Sequence, residues 1–326
     1  MHDMTNGTLR ITRRAWSRLL GGTACWSLLR CTRAAALPAI ERLTWDTSPV
    51  DIHNERRYRA DAQVLLLSIP LLRREDVGSG SVVWKESAVA GGATLRLLEF
   101  TGFSRPDRAA GLNRLGFLRE ISRMTGDLVS ESLYLGVMTS SPEESVEQAR
   151  QALHSRASEV TYTAIDGRIQ FNQSQTVTAH FTAPSGWSID NQGELLDRAQ
   201  RALATVRQDT PETHSDSAGA PPFLQAVAGL LRQPGQNQTS YAYSGRLYRL
   251  SLSQAADPQA TAHFRARGLL AANDYATCAS GKVRRENGGA EHHFRLWFQQ
   301  GAQRPLPLRI EYSPKSYLRL VFEAQG

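Results

Sequence analysis

From residue 58 onward, apolar and polar side chains alternate in short blocks punctuated by glycine, the period-two pattern of β-sheet. Tyr58, Ala60, Ala62 and Val64 alternate with Arg59, Asp61 and Gln63. Gly78-Ser79-Gly80 and Gly91-Gly92 read as turns around strands at 81–86 and 94–103, which predicts an antiparallel meander. Further strands are expected at 132–138, 159–165, 168–173, 176–183, 240–243, 247–253, 294–298, 306–312 and 317–323. Asp166-Gly167 is the dipeptide of a type I′ hairpin turn.

Four segments carry a helical pattern instead. Leu112, Leu115, Leu118 and Ile121 recur every three residues. Ser141-Pro142-Glu143-Glu144 opens a helix over 142–155 with a serine cap, a first-turn proline and a glutamate that closes a capping box. Asn191-Gln192-Gly193-Glu194 opens another over 193–206, and 223–232 is short and apolar. Residues 208–222 gather Pro211, Pro221, Pro222 and Gly219 with acidic and hydroxyl side chains, so they read as a loop. The expected fold is β-rich α+β: one domain at 56–323 built on a curved, half-barrel-like antiparallel sheet, with helices covering one side. Residues 37–55 form an extended lead-in.

The first 36 residues have a different pattern. Arg13 and Arg14 precede Trp16 and an apolar run at 19–29, and Ala34 and Ala36 supply a small-residue cleavage pair. That order is the layout of a twin-arginine export signal at 1–36, with the cut before Leu37. The run is too short for the ~20 residues of a membrane-spanning helix. Export through this signal gives a periplasmic or extracellular bacterial address and makes the export machinery a partner.

Composition changes its meaning once this leader is set aside. The chain holds 38 basic and 31 acidic residues, a formal net charge of +7. Residues 1–36 contain six of the arginines against one aspartate, which leaves 32 basic and 30 acidic residues, scattered rather than blocked. No electrostatic footprint for nucleic acid remains. Cys25 and Cys31 fall in the leader, so Cys278 stands alone and the mature fold must rely on its core rather than a disulfide.

Chemistry-bearing motifs are absent. His292 and His293 are neighbours, and on a strand neighbours point to opposite faces, so they do not make a metal pair. No nucleophile elbow, zinc helix, phosphate loop or dinucleotide fingerprint occurs, which leaves no catalytic residue, metal ligand or cofactor to name. The strand-borne aromatics remain. Trp84, Phe100, Trp187, Tyr243 and Trp297 are either sheet core or the lining of a concave apolar face.

The last hundred residues carry a resemblance. Pro222-Phe223-Leu224 to Leu230-Leu231-Arg232, Tyr243-Ser244-Gly245-Arg246-Leu247, Phe294-Arg295-Leu296-Trp297, Pro307-Leu308-Arg309-Ile310-Glu311 and Leu318-Arg319-Leu320 form the pattern. It resembles a family of exported bacterial β proteins of unknown function, distantly similar to the periplasmic lipoprotein-carrier half-barrels. The resemblance implies a curved sheet and an envelope location, and it brings no catalytic residues. The function expected is non-enzymatic binding of an apolar ligand, lipid or lipoprotein-like, or of a partner, on the concave sheet face. A hydrolase with a scattered site and a purely structural envelope component are the alternatives.

Overall fold

The computed structural model describes residues 52–66, 69–89, 91–109, 113–126, 128–139, 159–170, 173–184, 191–206, 212–214, 219–233, 235–315 and 317–326. The chain divides into two units, 1–36 and 37–326, and every described residue belongs to the second. The proposed leader, Trp187 and the helix expected at 142–155 lie outside the described residues.

The described residues form fourteen strands in one antiparallel sheet, with three helices. The strands are β1 (Ile52–Leu66), β2 (Ile69–Val89), β3 (Ala93–Ser104), β4 (Leu115–Thr125), β5 (Leu128–Thr139), β6 (Glu159–Gln170), β7 (Gln173–Pro184) and β8 (Glu212–His214). They continue as β9 (Gln238–Tyr243), β10 (Arg246–Ala256), β11 (Ala276–Arg285), β12 (Glu291–Gln299), β13 (Arg309–Lys315) and β14 (Leu318–Ala324). The helices are α1 (Gln192–Val206), α2 (Phe223–Arg232) and α3 (Pro258–Ala266). Each strand pairs with its sequence neighbour except at one seam, where β1 meets β14 through Tyr58↔Ala324, Ala60↔Phe322 and Val64↔Leu318. The sheet therefore runs from β8 at one end through that seam to β9 at the other.

This β-rich architecture is the expected one, and its curvature is explained by α2. One side of the sheet presents Trp84 and Leu98, which cluster with Ala228 of α2. The far strands present Tyr241, Leu250, Leu252, Leu296 and Phe298, which cluster with Ala226, Val227, Leu230 and Leu231 of the same helix. A single ten-residue helix thus touches strands from both halves, and the sheet rolls around it into a nearly closed barrel. The two ends overlap instead of pairing: Ala242 and Leu247 of the β9–β10 hairpin pack with Tyr134, Ile165 and Ile169 of β5 and β6. Tyr134 makes this overlap possible by lying flat on Gly167, where any Cβ would collide with its ring.

Several expectations need correction. The helices do not cover one side. Leu97 clusters with Leu195, Ala199 and Leu203 of α1, whereas its neighbour Leu98 clusters with α2, so α1 and α2 occupy opposite faces. For the same reason residues 115–121, expected as part of a helix, belong to β4, while Leu112 lies outside the described residues. Leu115 and Ile121 face the α1 side and Leu118 faces the other; burial on both faces erases the alternation that marks a strand. Gly78-Ser79-Gly80 lies inside β2, not at a turn. A Cβ at Gly78 would strike the carbonyl of Phe103 on β3, so the glycine serves a close backbone approach. Asp166-Gly167 likewise sits within β6, and the chain reverses between Gln170 and Gln173. β1 begins at Ile52, inside the expected lead-in, and β8 adds a three-residue edge within the 208–222 loop. Helix α3 and strand β11 had no counterpart in the expected elements. The sign of α3 was Asp257-Pro258, an aspartate whose carboxylate accepts the Ala260 N–H at 2.9 Å ahead of a first-turn proline.

Candidate functional site

Helix α2 has no cap of its own at its N-terminus, because the residue before it is Pro222 and no side chain there takes its free N–H groups. The acceptor comes from β4, more than a hundred residues away. Glu120 is fully buried and accepts the Leu224 N–H at 2.8 Å and the Gln225 N–H at 2.9 Å, one on each carboxylate oxygen. Burial pushes its pKa up to about 8, and these two hydrogen bonds only partly oppose the shift. Tyr243 and Tyr134 close the same end, their rings 5.5 Å apart, and the Tyr134 hydroxyl accepts the Ser244 N–H at 3.0 Å. Burial, aided by the Glu120 charge, raises the Tyr243 hydroxyl above its ordinary value. This is a sealed polar contact that holds the helix in place.

The other end of α2 opens on solvent. A cavity of about 900 Å³ lies there, bounded by Glu86 and Arg96 from β2 and β3, Leu231 and Arg232 from α2, Phe298 from β12 and Arg304 from the loop before β13. Glu86 and Arg96 are directly opposite in the β2–β3 ladder, so their side chains share the inner face. Arg96 Nε donates to Glu86 at 2.7 Å, and Arg304 Nε donates to the other carboxylate oxygen at 3.1 Å. Burial alone would raise the Glu86 carboxyl, but hydrogen bonding and charge from Arg96, then Arg304, hold it below the usual range. Arg56 steadies the Arg304 loop by donating to the Leu306 and Pro307 carbonyls at 2.9 and 3.1 Å.

These contacts leave much of the guanidinium chemistry unspent. Arg96 and Arg304 each use only Nε on Glu86, and their terminal nitrogens have no hydrogen-bond partner among the described residues. The Arg96 guanidinium lies 5.1 Å from the centre of the Trp84 ring, which fixes its plane. Arg96 and Arg232 also border a second cavity of about 140 Å³, which runs along α2 between Met124, Val129, Ala226 and Leu230. Gln225 lines that cavity, and its side-chain amide is buried with neither oxygen nor nitrogen partnered among the described residues. Such a group costs ~1–3 kcal/mol until something bonds it. Two arginines on the single carboxylate of Glu86, next to the Gln225 amide and the apolar sides of Leu231 and Phe298, suit an anionic group attached to an apolar body.

Of the aromatic residues expected to line a ligand face, Trp84, Phe100, Tyr243 and Trp297 are described. Trp84 is buried beside Leu98, Ala228, Leu224 and Leu306. Phe100 meets Phe322 edge to face with ring centres 5.9 Å apart. Tyr243 shares the inner face with Trp84 but stands at the sealed end of α2. Trp297 points to the opposite face, clusters with Phe264, Leu270 and Leu308, and donates its indole N–H to Asp257 at 2.8 Å. The apolar concave surface on which a ligand was expected is occupied by α2. The arginines of the mouth escaped notice because Arg96 and Arg304 are 208 positions apart and no local pattern links them. Among the described residues, no group of three or more His, Cys, Asp or Glu side chains is placed to hold a metal, and no helix is long and apolar enough to cross a membrane.

No family model matches the chain, and no curated protein matches it. Among solved structures it is similar to a beta-barrel-like protein of domain of unknown function DUF1849 from Brucella abortus, with a TM-score of 0.41 and 8% identity. That similarity covers 84% of this chain and 95% of the other.

Proposed function

We propose that this chain is a non-enzymatic protein of the bacterial cell envelope that binds a lipid-like anion at the open end of α2. The observation that carries the reading is Arg96, held by Glu86 and Trp84 with its terminal nitrogens unengaged, beside the unpartnered Gln225 amide. A planar guanidinium with fixed orientation recognises a carboxylate or phosphate through two parallel hydrogen bonds. The anionic head meets Arg96 and Arg304, and the apolar portion follows Leu231 and Phe298 toward the smaller cavity. The leader-like pattern around Arg13 and Arg14 supports an exported, periplasmic or extracellular address. The resemblance to lipoprotein-carrier half-barrels supports a lipid or lipoprotein-like ligand over a small polar one.

Native mass spectrometry of the protein extracted from its producing cell tests this reading. An anionic amphiphile should accompany the wild-type chain and be absent from a folded Arg96→Met variant. A chain that carries no such molecule, or a variant that carries it equally well, refutes the assignment.

A further inference from the structure

Strands β11 to β14 carry a basic trough on the face opposite α2. Phe294 and Leu296 of β12 pack toward the α2 cluster, so Arg295 between them and Trp297 beyond project to the other side. The ladder sets Arg295 beside Ser280 on β11 and Glu311 on β13. Lys282 follows Ser280 on the same face of β11, and Arg319 of β14 comes within 3.9 Å of Glu311. These side chains, with Ser313, border an open cavity of about 320 Å³.

The trough holds more positive charge than its carboxylates answer. Glu311 is 4% exposed and is crowded by three guanidinium groups. Arg295 and Arg309 each donate one terminal nitrogen to it, while Arg319 stands beyond hydrogen-bond distance. The Arg295 guanidinium also lies 5.1 Å from the centre of the Trp297 ring, which fixes its plane. Its remaining N–H groups and all those of Arg319 have no hydrogen-bond partner among the described residues. Beside them, the Lys282 ammonium and His293 Nε2 share Glu291 at 3.7 and 3.0 Å. Lys282, Arg295, Arg309 and Arg319 thus face only Glu291 and Glu311, a surplus of two positive charges. A carboxylate ligand would answer half of that surplus. A dianionic phosphate answers all of it, and its several oxygens accept from guanidinium and ammonium groups at once. We propose that this trough binds a dianionic phosphate group, free or as a monoester, through Lys282, Arg295 and Arg319.

The trough lies across the sheet from the arginine-lined mouth, so its test is run with the mouth disabled. The full Arg96→Met chain is titrated by calorimetry with inorganic phosphate, glycerol 3-phosphate and acetate at equal ionic strength. One saturable phosphate site is expected, with acetate weaker by roughly tenfold or more, the ratio set by one lost charge-assisted hydrogen bond. Adding Lys282→Gln and Arg319→Gln together should weaken phosphate on the order of a hundredfold, from two such bonds. The thermal midpoint without phosphate should not move, because neither side chain is hydrogen-bonded within the fold. Tighter binding of glycerol 3-phosphate than of phosphate supports the proposal and assigns an ester. Retention on vesicles containing phosphatidic acid, lost with the same two substitutions, supports it and places the phosphate on a lipid. Absence of saturable binding by both soluble phosphate probes overturns the proposal. So does equal phosphate binding after the two substitutions, or acetate binding as tight as that of phosphate.

Discussion

The two ends of helix α2 are built in opposite ways. At the N-terminus a buried carboxylate takes two backbone N–H groups and tyrosines exclude water; at the C-terminus arginines surround an open cavity. Both ends use an ionisable side chain, yet only one leaves hydrogen-bonding capacity to spare. Glu120 engages both oxygens on the helix, whereas Arg96 commits one nitrogen to Glu86 and faces two cavities with the rest. The contrast teaches that a buried ionisable group marks a ligand site only when its partners do not exhaust it. Glu120 is the more perturbed group and the less available one.

Breaking the sealed end should have the largest effect. Glu120→Ala strands two buried N–H groups, so unfolding free energy should fall by about 2–4 kcal/mol, measured by denaturant titration. Glu120 also predicts a pH dependence. Its folded pKa of about 8 lies above the ordinary value of 4.5, so the folded chain retains a proton that the unfolded chain releases. The stabilising contribution is complete below the lower value and is lost as pH rises toward the upper one. Denaturation midpoints should therefore decline across that interval in the wild type and less steeply in Glu120→Gln. A wild-type profile that rises through the interval contradicts the assignment.

Opening the other end should cost less. Arg96→Met leaves Glu86 with Arg304 alone, and a loss of about 1–3 kcal/mol is expected because the pair is mostly but not fully enclosed. The smallest effect has the opposite sign. Gln225→Leu replaces an unpartnered buried amide by a hydrocarbon of similar size, so stability should hold or rise by about 1 kcal/mol while any bound anion is retained less well. A clear loss of stability in Gln225→Leu shows that the amide is satisfied in the folded protein.

Much of the scaffold was legible along the chain. The strand blocks, the short apolar helix matching Phe223–Arg232 and the helix after Asn191 follow from period and capping alone, because those signals are local. The misread β4 and strand glycines share one cause. β4 carries apolar residues on both faces, and Gly78 and Gly167 sit inside strands where a neighbouring chain or ring needs their space. A pattern rule assumes one wet face and assigns glycine to turns; a sheet covered on both sides breaks both assumptions.

The sequence by itself determined a β-rich antiparallel fold with few helices, because alternation and caps are written within a few residues of where they act. Tertiary structure decided the rest. That α2 fills the concave face, that Glu120 caps it from 104 positions away, and that Glu86, Arg96 and Arg304 meet in one mouth all depend on how the sheet rolls. Rolling is set by the packing of apolar surfaces from distant strands against one helix, and packing of that range leaves no periodic trace in the order of residues.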